Sequence, residues 1–260
     1  MSLRLKITTY NIHKGFSQFN RRMVIHELRD RLRQLGADIV FLQEVQGMHL
    51  GHAEERADWP DIPQHQFLAE NVWANTAYGR NVMYDHGHHG NAILSRHAIL
   101  SAHNQDVTHL RFERRGLLHC AIEVEGLALP VHCACVHLSL FGRSRRRQMA
   151  SLAERIEDIV PPTAPLIIAG DFNDWRNRAH DLLVERLGVT EVFGDISSGG
   201  HPPRSFPSGL PMFRLDRIYV RGFGIEGCEV HYGAPWSRIS DHAALSTLLV
   251  ADSRAAAAVP

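Results

Sequence analysis

The sequence has few cysteines and no long apolar run. It has four cysteines in 260 residues, in apolar surroundings and without a Cys-x-x-Cys pair, which argues against a zinc site of the Cys/His type and favours buried free thiols. No apolar run approaches the about 18 residues of a membrane-spanning helix. No basic-then-apolar signal pattern precedes the first predicted strand. We therefore expect a cytoplasmic protein with no membrane-spanning segment.

The chain also lacks an excess of charge of either sign. The formal net charge is +0, and 44% hydrophobic with 22% charged residues is ordinary for a soluble globular protein. Dedicated nucleic-acid binders usually carry a basic excess, so long DNA is mildly disfavoured as a substrate. No linker, repeat or low-complexity block divides the chain. We expect a monomer with a single domain over 1–250 and a flexible tail over 251–260.

Apolar periodicity predicts strands with helices interleaved. Helices are predicted from an apolar stripe between Val24 and Leu35, capped by Asn20 and ended by Gly36, and over 144–160 and 179–187. Two long polar or Gly/Pro-rich stretches, 46–66 and 194–213, are predicted loops. Two packed sheets covered by helices would bury the apolar faces of these elements. Strands are predicted near 3–11, 37–45, 79–84, 90–95, 99–106, 116–124, 127–138, 166–170, 214–220, 224–232 and 242–250.

Several predicted strands end in, or are preceded by, side chains that could bind a metal ion or transfer a proton. A carboxylate at the end of an apolar strand costs free energy unless it is paired or binds a cation. Six such segments indicate convergence on one cleft. Its oxygen ligands suit Mg²⁺ or Mn²⁺ and do not suit zinc. No serine or cysteine lies in a nucleophile elbow, so metal-assisted attack of water on a phosphoester fits best. The side chains are Asn11, Glu44, His137, Asp171, Asn173, Asp216, Asp241 and His242.

The order of these motifs resembles that of the endonuclease/exonuclease/phosphatase superfamily, and it is closest to bacterial members of unassigned substrate. The resemblance spans residues 7–242 and rests on TYNIHKG, LQEV, GNAILSR, VHL, GDFND, LDRIYV and SDH. It implies a DNase I-like fold, which is a four-layer α/β/β/α sandwich of two mixed sheets flanked by helices. The active site would lie at one edge of that sandwich.

The resemblance also implies roles for individual residues. Glu44 would be a metal ligand, with Asn11 and Asp241 close to the metal. Asp171 would orient or deprotonate the attacking water, and Asn173 would hold the phosphate.

Further roles follow from the same resemblance. Asp216 would pair with His242, which contacts a phosphate oxygen. His137 would be a second phosphate contact or an acid. Asn91 would bind substrate or, alternatively, support the sheet.

The arginine-rich stretch GRSRRRQ opens the second predicted helix, where cations are unfavourable. We expect Arg143 and Arg147 either to bind an anionic part of the substrate or to form a solvated helix face. Arg114 and Arg115 are weaker candidates of the same kind. His89 is a candidate for the substrate-facing rim.

The predicted function is a Mg²⁺- or Mn²⁺-dependent phosphoric ester hydrolase, and we favour a phosphodiesterase. The substrate stays open between a nucleic acid, a lipid headgroup and a small metabolite. The alternatives are a phosphomonoesterase of the inositol-phosphatase type and a non-catalytic binding scaffold.

Overall fold

The protein consists of two six-stranded sheets with helices on their outer faces. The structure, a computed structural model, describes residues 2–18, 22–49, 59–175, 180–194 and 203–252. The α-helices in these ranges are α1 (Ile25–Leu35), α2 (Gln64–Ala69), α3 (Gly142–Ile159) and α4 (His180–Leu187). The strands are β1 (Arg4–Asn11), β2 (Ile39–His49), β3 (Asn75–Tyr84), β4 (Gly87–Ser95), β5 (Ala98–Asp106), β6 (Gly116–Glu123), β7 (Val131–His137), β8 (Leu166–Asp171), β9 (Thr190–Glu191), β10 (Asp216–Arg221), β11 (Phe223–His231) and β12 (Ala244–Ala251).

Both sheets are mixed. The first has the strand order β11-β12-β1-β2-β4-β3, and the second has the order β5-β6-β7-β8-β10-β9. Strands β1 and β2 are parallel, as are β7 and β8, whereas the other described neighbours are antiparallel. Parallel pairs need a crossover connection, and α1 and α3 provide these two crossovers.

Three apolar clusters hold the layers together. The inward faces of both sheets meet in a core that includes Phe41 and Ile167. Helix α1 packs its buried face, with Leu28 and Leu32, on the outer face of the first sheet. Helix α3 packs Leu152 and other apolar side chains on the outer face of the second sheet. The predicted α/β/β/α sandwich is therefore confirmed. Within the described residues, no helix is long and apolar enough to cross a bilayer.

The boundaries of some elements differ from the sequence-based expectation. Helix α2 begins inside the predicted loop 46–66 and extends beyond it to Ala69, and β2 continues to His49 because it keeps pairing with β4 beyond a register shift. Helix α1 begins at Ile25 and ends at Gly36, whose φ of 63° is left-handed. The predicted cap Asn20 lies outside the described residues. So does the predicted tail from residue 253 onward, whereas residue 251 still belongs to β12.

The cysteines agree with the expected free thiols. Cys120, Cys133 and Cys135 are buried between the sheets, and Cys228 is half-buried. All four are unpaired.

Candidate active site

The polar strand ends meet at one edge of the sandwich. In the second sheet, His137 on β7 and Asp216 on β10 are both register partners of Asp171 on β8, so the three lie side by side. The first sheet brings Asn11 at the end of β1, and its Nδ2 donates to Asp171 Oδ2 at 3.1 Å. His242 precedes β12 by two residues and completes the group.

Of these side chains, Asn11, His137, Asp171 and His242 line a cavity of about 350 Å³. One part of its wall is polar and titratable, and the other part is apolar and largely aromatic. The lining residues are Asn11, Glu44, Arg115, His137, Leu140, Asp171, Asn173, Trp175, Phe206, Phe213, Leu215 and His242.

Asp171 is the central carboxylate of the cavity and is only 1% exposed. Its Oδ1 accepts the backbone N–H of Asn173 at 2.9 Å. Its Oδ2 lies 3.5 Å from His137 Nε2 and 3.7 Å from His242 Nε2. Burial raises the pKa of Asp171 above its ordinary value, although the nearby His242 imidazolium opposes the shift. A buried carboxylate with a raised pKa, set among donors, is suited to accepting a proton.

His242 and Asp216 form the expected hydrogen bond, with 2.8 Å between His242 Nδ1 and Asp216 Oδ2. Burial disfavours the imidazolium, but Asp216 and then Asp171 outweigh burial and raise the pKa of His242 to about 10. The two strands that these residues open do not neighbour each other in one sheet. Strand β10 belongs to the second sheet and β12 to the first, so the bond crosses the gap between the sheets.

Glu44 owes its orientation to a β-bulge. The register of β2 against β4 shifts between Leu42 and Val45, and Glu44 has a left-handed φ of 56°. Non-glycine residues in this conformation are strained and cluster at functional sites. Among the described residues, the half-buried Glu44 carboxylate accepts no hydrogen bond and forms no ion pair.

Asn173 and His137 form the wall beside Asp171. Asn173, with φ of 50°, donates from Nδ2 to the carbonyl of Leu138 at 2.9 Å. Burial and the Arg115 guanidinium lower the pKa of His137 well below its ordinary value, so the ring is neutral at neutral pH. Arg115 itself is held by Glu113 at 3.1 Å.

Three other predicted site residues, like Asp216, are not among the lining residues of the cavity. Asp241 Oδ1 is 3.4 Å from His13 Nδ1. His89 is largely buried, and burial together with Lys14 lowers its pKa to about 4. Asn91 donates to the carbonyls of Gly116 and Cys135, at 3.0 and 3.2 Å, and so ties the two sheets together. This contact matches the alternative role of sheet support that we considered for Asn91.

The arginines at the start of α3 point in different directions. Arg143 and Arg147 are exposed and do not line the cavity, and Arg147 contacts the His109 ring at 2.7 Å. The buried Arg145 lies 3.7 Å from Asp174 and donates to the carbonyl of Ser139 at 2.9 Å. The structure therefore brings neither Arg143 nor Arg147 to the cavity, because the helix turns its buried face, with Arg145, toward the protein.

The sequence did not predict the aromatic wall of the cavity, which consists of Trp175, Phe206 and Phe213. It indicated Arg115 only as a weaker candidate for binding an anionic part of the substrate. Trp175 follows the GDFND motif directly, and this position was a usable signal. Phe206 and Phe213 lie in a stretch interpreted as a loop, and they form an isolated antiparallel bridge. Nothing in the local sequence pattern indicated that this bridge borders the cavity.

Comparison with known proteins identifies the family. Residues 8–242 match a sequence model of the Endonuclease/Exonuclease/phosphatase family. The chain belongs to this family. Among its relatives, the protein YbhP of Escherichia coli K12 is 44% identical over 241 residues, which cover 93% of this chain and 94% of YbhP.

Solved structures of the endonuclease/exonuclease/phosphatase family have the same fold. A member from Beutenbergia cavernae matches 95% of this chain and 72% of its own, with a TM-score of 0.73 and 19% identity. The mannosyl-6-phosphatase of Bacteroides thetaiotaomicron matches 95% of this chain and 99% of its own, with a TM-score of 0.71 and 14% identity. At these identities the likeness concerns the fold alone.

Proposed function

We propose that the protein is a divalent-metal-dependent phosphodiesterase in which water attacks phosphorus. The observation that carries this proposal is the buried Asp171 carboxylate, which opens onto the cavity between Asn11, His137 and His242. Phosphoester hydrolysis is plausible for a member of this family. The proposal includes a diester substrate, a divalent metal and the roles of individual residues. It also includes a monomeric protein and a cytoplasmic location.

Glu44 supports a metal in the cavity. A half-buried carboxylate without a hydrogen-bond or ion-pair partner among the described residues costs free energy, and a hard cation would satisfy it. Asn11 lines the same cavity and Asp241 directly precedes the lining residue His242, so both oxygen ligands stay candidates. When bound, Mg²⁺ or Mn²⁺ would neutralise phosphate oxygens and lower the pKa of water.

A second group of residues could also bind a metal ion. Asp171, Asp216 and His242 bring one ligand atom each within 4.8 Å of the others, so they could hold a cation. We favour Glu44, because an imidazolium at His242 has no lone pair for a metal. Both carboxylates of the cluster already interact with that ring.

In the proposed reaction, Asp171 and the side chains around it have different catalytic roles. Asp171 orients the water and takes its proton. The charged His242, held by Asp216, and the Arg115 guanidinium stabilise negative charge that develops on the phosphoryl oxygens. Neutral His137 donates or accepts a hydrogen bond, and Asn173 contributes an amide to the phosphate.

A phosphomonoesterase is the alternative, and the mannosyl-6-phosphatase is built on the same fold. We favour a diester because apolar side chains continue the cavity beyond the polar wall. They offer a place for a substituent on phosphorus. A non-catalytic scaffold is a weaker alternative, since the residues for metal and water chemistry are all present.

The test is a panel of phosphoesters with Mg²⁺, Mn²⁺ or a chelator. It contains bis-p-nitrophenyl phosphate, p-nitrophenyl phosphate, plasmid DNA, RNA, sphingomyelin and phosphatidyl lipids. We expect metal-dependent hydrolysis of at least one diester, abolished by the chelator and by Asp171→Asn. Faster hydrolysis of the monoester would support the alternative enzyme, and no hydrolysis of any compound would support the scaffold.

A further inference from the structure

Large apolar side chains are exposed on one side of the cavity mouth. Phe112 is 77% exposed, although its ring packs edge-to-face against Phe141 with 5.8 Å between the centroids. Leu140 is also exposed, and it lines the cavity itself. The group Phe112, Leu140 and Phe141, which we call the arginine side, therefore extends from the cavity to the outer surface.

A second exposed apolar group borders the same cavity. Phe213 lines the cavity, and its N–H donates to the carbonyl of Phe206 at 2.8 Å, which closes a tight loop. Met212 is exposed and Leu210 is 73% exposed in this loop. The group Leu210, Met212 and Phe213, which we call the loop side, faces solvent. Single exposed apolar residues need no explanation, but a cluster that borders a cavity marks an interaction surface.

The arginine side also carries exposed positive charge. Arg111 and Arg114 flank Phe112, and Arg143 lies two residues beyond Phe141. All three are exposed, and within the described residues none of their guanidinium groups forms an ion pair. The intervening carboxylate, Glu113, is buried and bonds to Ser139 and Arg115. Its charge is therefore turned away from the surface.

We propose that these two apolar groups and their arginines dock on an anionic phospholipid membrane, and that a lipid phosphodiester headgroup enters the cavity. The second part rests on the proposed phosphodiesterase. Aromatic and aliphatic side chains partition into the interface between headgroups and acyl chains, while arginines bind anionic lipids.

Other occupants fit this surface less well. Nucleic acid binds through stacking on aromatic rings, whereas three of these six exposed side chains, Leu140, Leu210 and Met212, are aliphatic. A protein partner or a second copy that covered both sides would close the mouth of the cavity. A membrane covers the same surface and supplies substrate through it.

The test is flotation with vesicles of phosphatidylcholine alone or mixed with phosphatidylglycerol. We expect the protein to bind the mixed vesicles, and to bind them less at high salt. The double variant Phe112→Ser/Leu210→Ser should weaken this binding by at least about 10-fold, because two apolar side chains no longer enter the interface. Arg111→Gln/Arg143→Gln should weaken it by about 5-fold per arginine.

Leu100→Ser is the matched control. Leu100 is 55% exposed on β5, about 20 Å along that strand from its end at Asp106, next to the arginine side. This variant should bind as the wild type does. The proposal is overturned if the wild type does not bind mixed vesicles or if Phe112→Ser/Leu210→Ser binds them normally. It is also overturned if that variant instead changes the oligomeric state or the binding of an oligonucleotide.

Hydrolysis of bis-p-nitrophenyl phosphate separates docking from catalysis. Phe112→Ser/Leu210→Ser should keep this activity, because neither residue lines the cavity, and should lose activity on phosphatidylglycerol in vesicles. Vesicle binding without hydrolysis of any phosphoester would contradict the proposed function and support docking alone. Equal loss on both substrates would contradict the docking proposal.

Discussion

Replacement of Asp171 by asparagine should remove the base while leaving the fold in place. An asparagine can still accept the Asn173 N–H, but its amide nitrogen then faces Asn11 Nδ2 in place of Oδ2. Asn11 could turn its side chain, but it would then give up the bond that its Oδ1 accepts from the His13 N–H at 3.2 Å. In either arrangement about one hydrogen bond is lost, which costs about 0.5–1.5 kcal/mol of unfolding free energy.

The effect on turnover should be much larger. Loss of a positioned base lowers kcat by about 10²–10⁴-fold, which is about 2.7–5.5 kcal/mol in the activation free energy. The KM should stay the same or fall, since a negative charge leaves the neighbourhood of the phosphate. The change in kcat therefore exceeds what the lost hydrogen bond explains.

The assay is steady-state hydrolysis of the best diester from the panel, with calorimetry of Mg²⁺ binding and thermal unfolding of the same variant. Asp106→Asn is the matched control, because this exposed aspartate ends a strand and, among the described residues, accepts only a local hydrogen bond from the Thr108 N–H. Near-normal kcat in Asp171→Asn would refute the assignment of the base. A matching loss of Mg²⁺ affinity would move Asp171 to the metal site.

Four further substitutions test residues in and around the site. Glu44→Gln should lower Mg²⁺ affinity by more than about 10-fold in calorimetry with little change in melting temperature, and unchanged affinity would remove Glu44 as the ligand. Asp216→Asn should lower kcat more than it changes KM, and His242→Asn should add little in that background because the two act as a unit. Fully additive losses would show that the two act independently. Asp174→Asn should reduce the unfolding free energy by about 3–5 kcal/mol, since Asp174 lies within 3.8 Å of the buried Arg217 guanidinium. Thermal melting should then shift by about 6–20 °C, and an unchanged melting temperature would contradict that structural role.

The sequence by itself determined most strands, three of the four described helices and the residues grouped around Asp171. Alternation in β1 and the apolar run before Asp171 are local patterns, and local patterns reflect whether one or both faces of an element are buried. Gly36 could be assigned as the end of α1 for the same reason, because the left-handed conformation at a helix end is a property of one residue.

Only the tertiary structure decided how these elements meet. The sheet that β12 joins depends on pairing with β1 at the other end of the chain, which no local pattern encodes. The bulge that turns Glu44 arises from the mismatch between β2 and β4, so the direction of its carboxylate follows from pairing.

The surface around the cavity was also decided only by the tertiary structure. Which arginine of α3 turns inward depends on how the helix seats on the second sheet, and the structure buries Arg145 while Arg143 stays exposed. Phe213 lies in a segment without periodicity, and it borders the cavity because the loop closes on Phe206. The aromatic wall arises from contacts between distant parts of the chain. The polar residues around Asp171, in contrast, could be predicted from short sequence motifs.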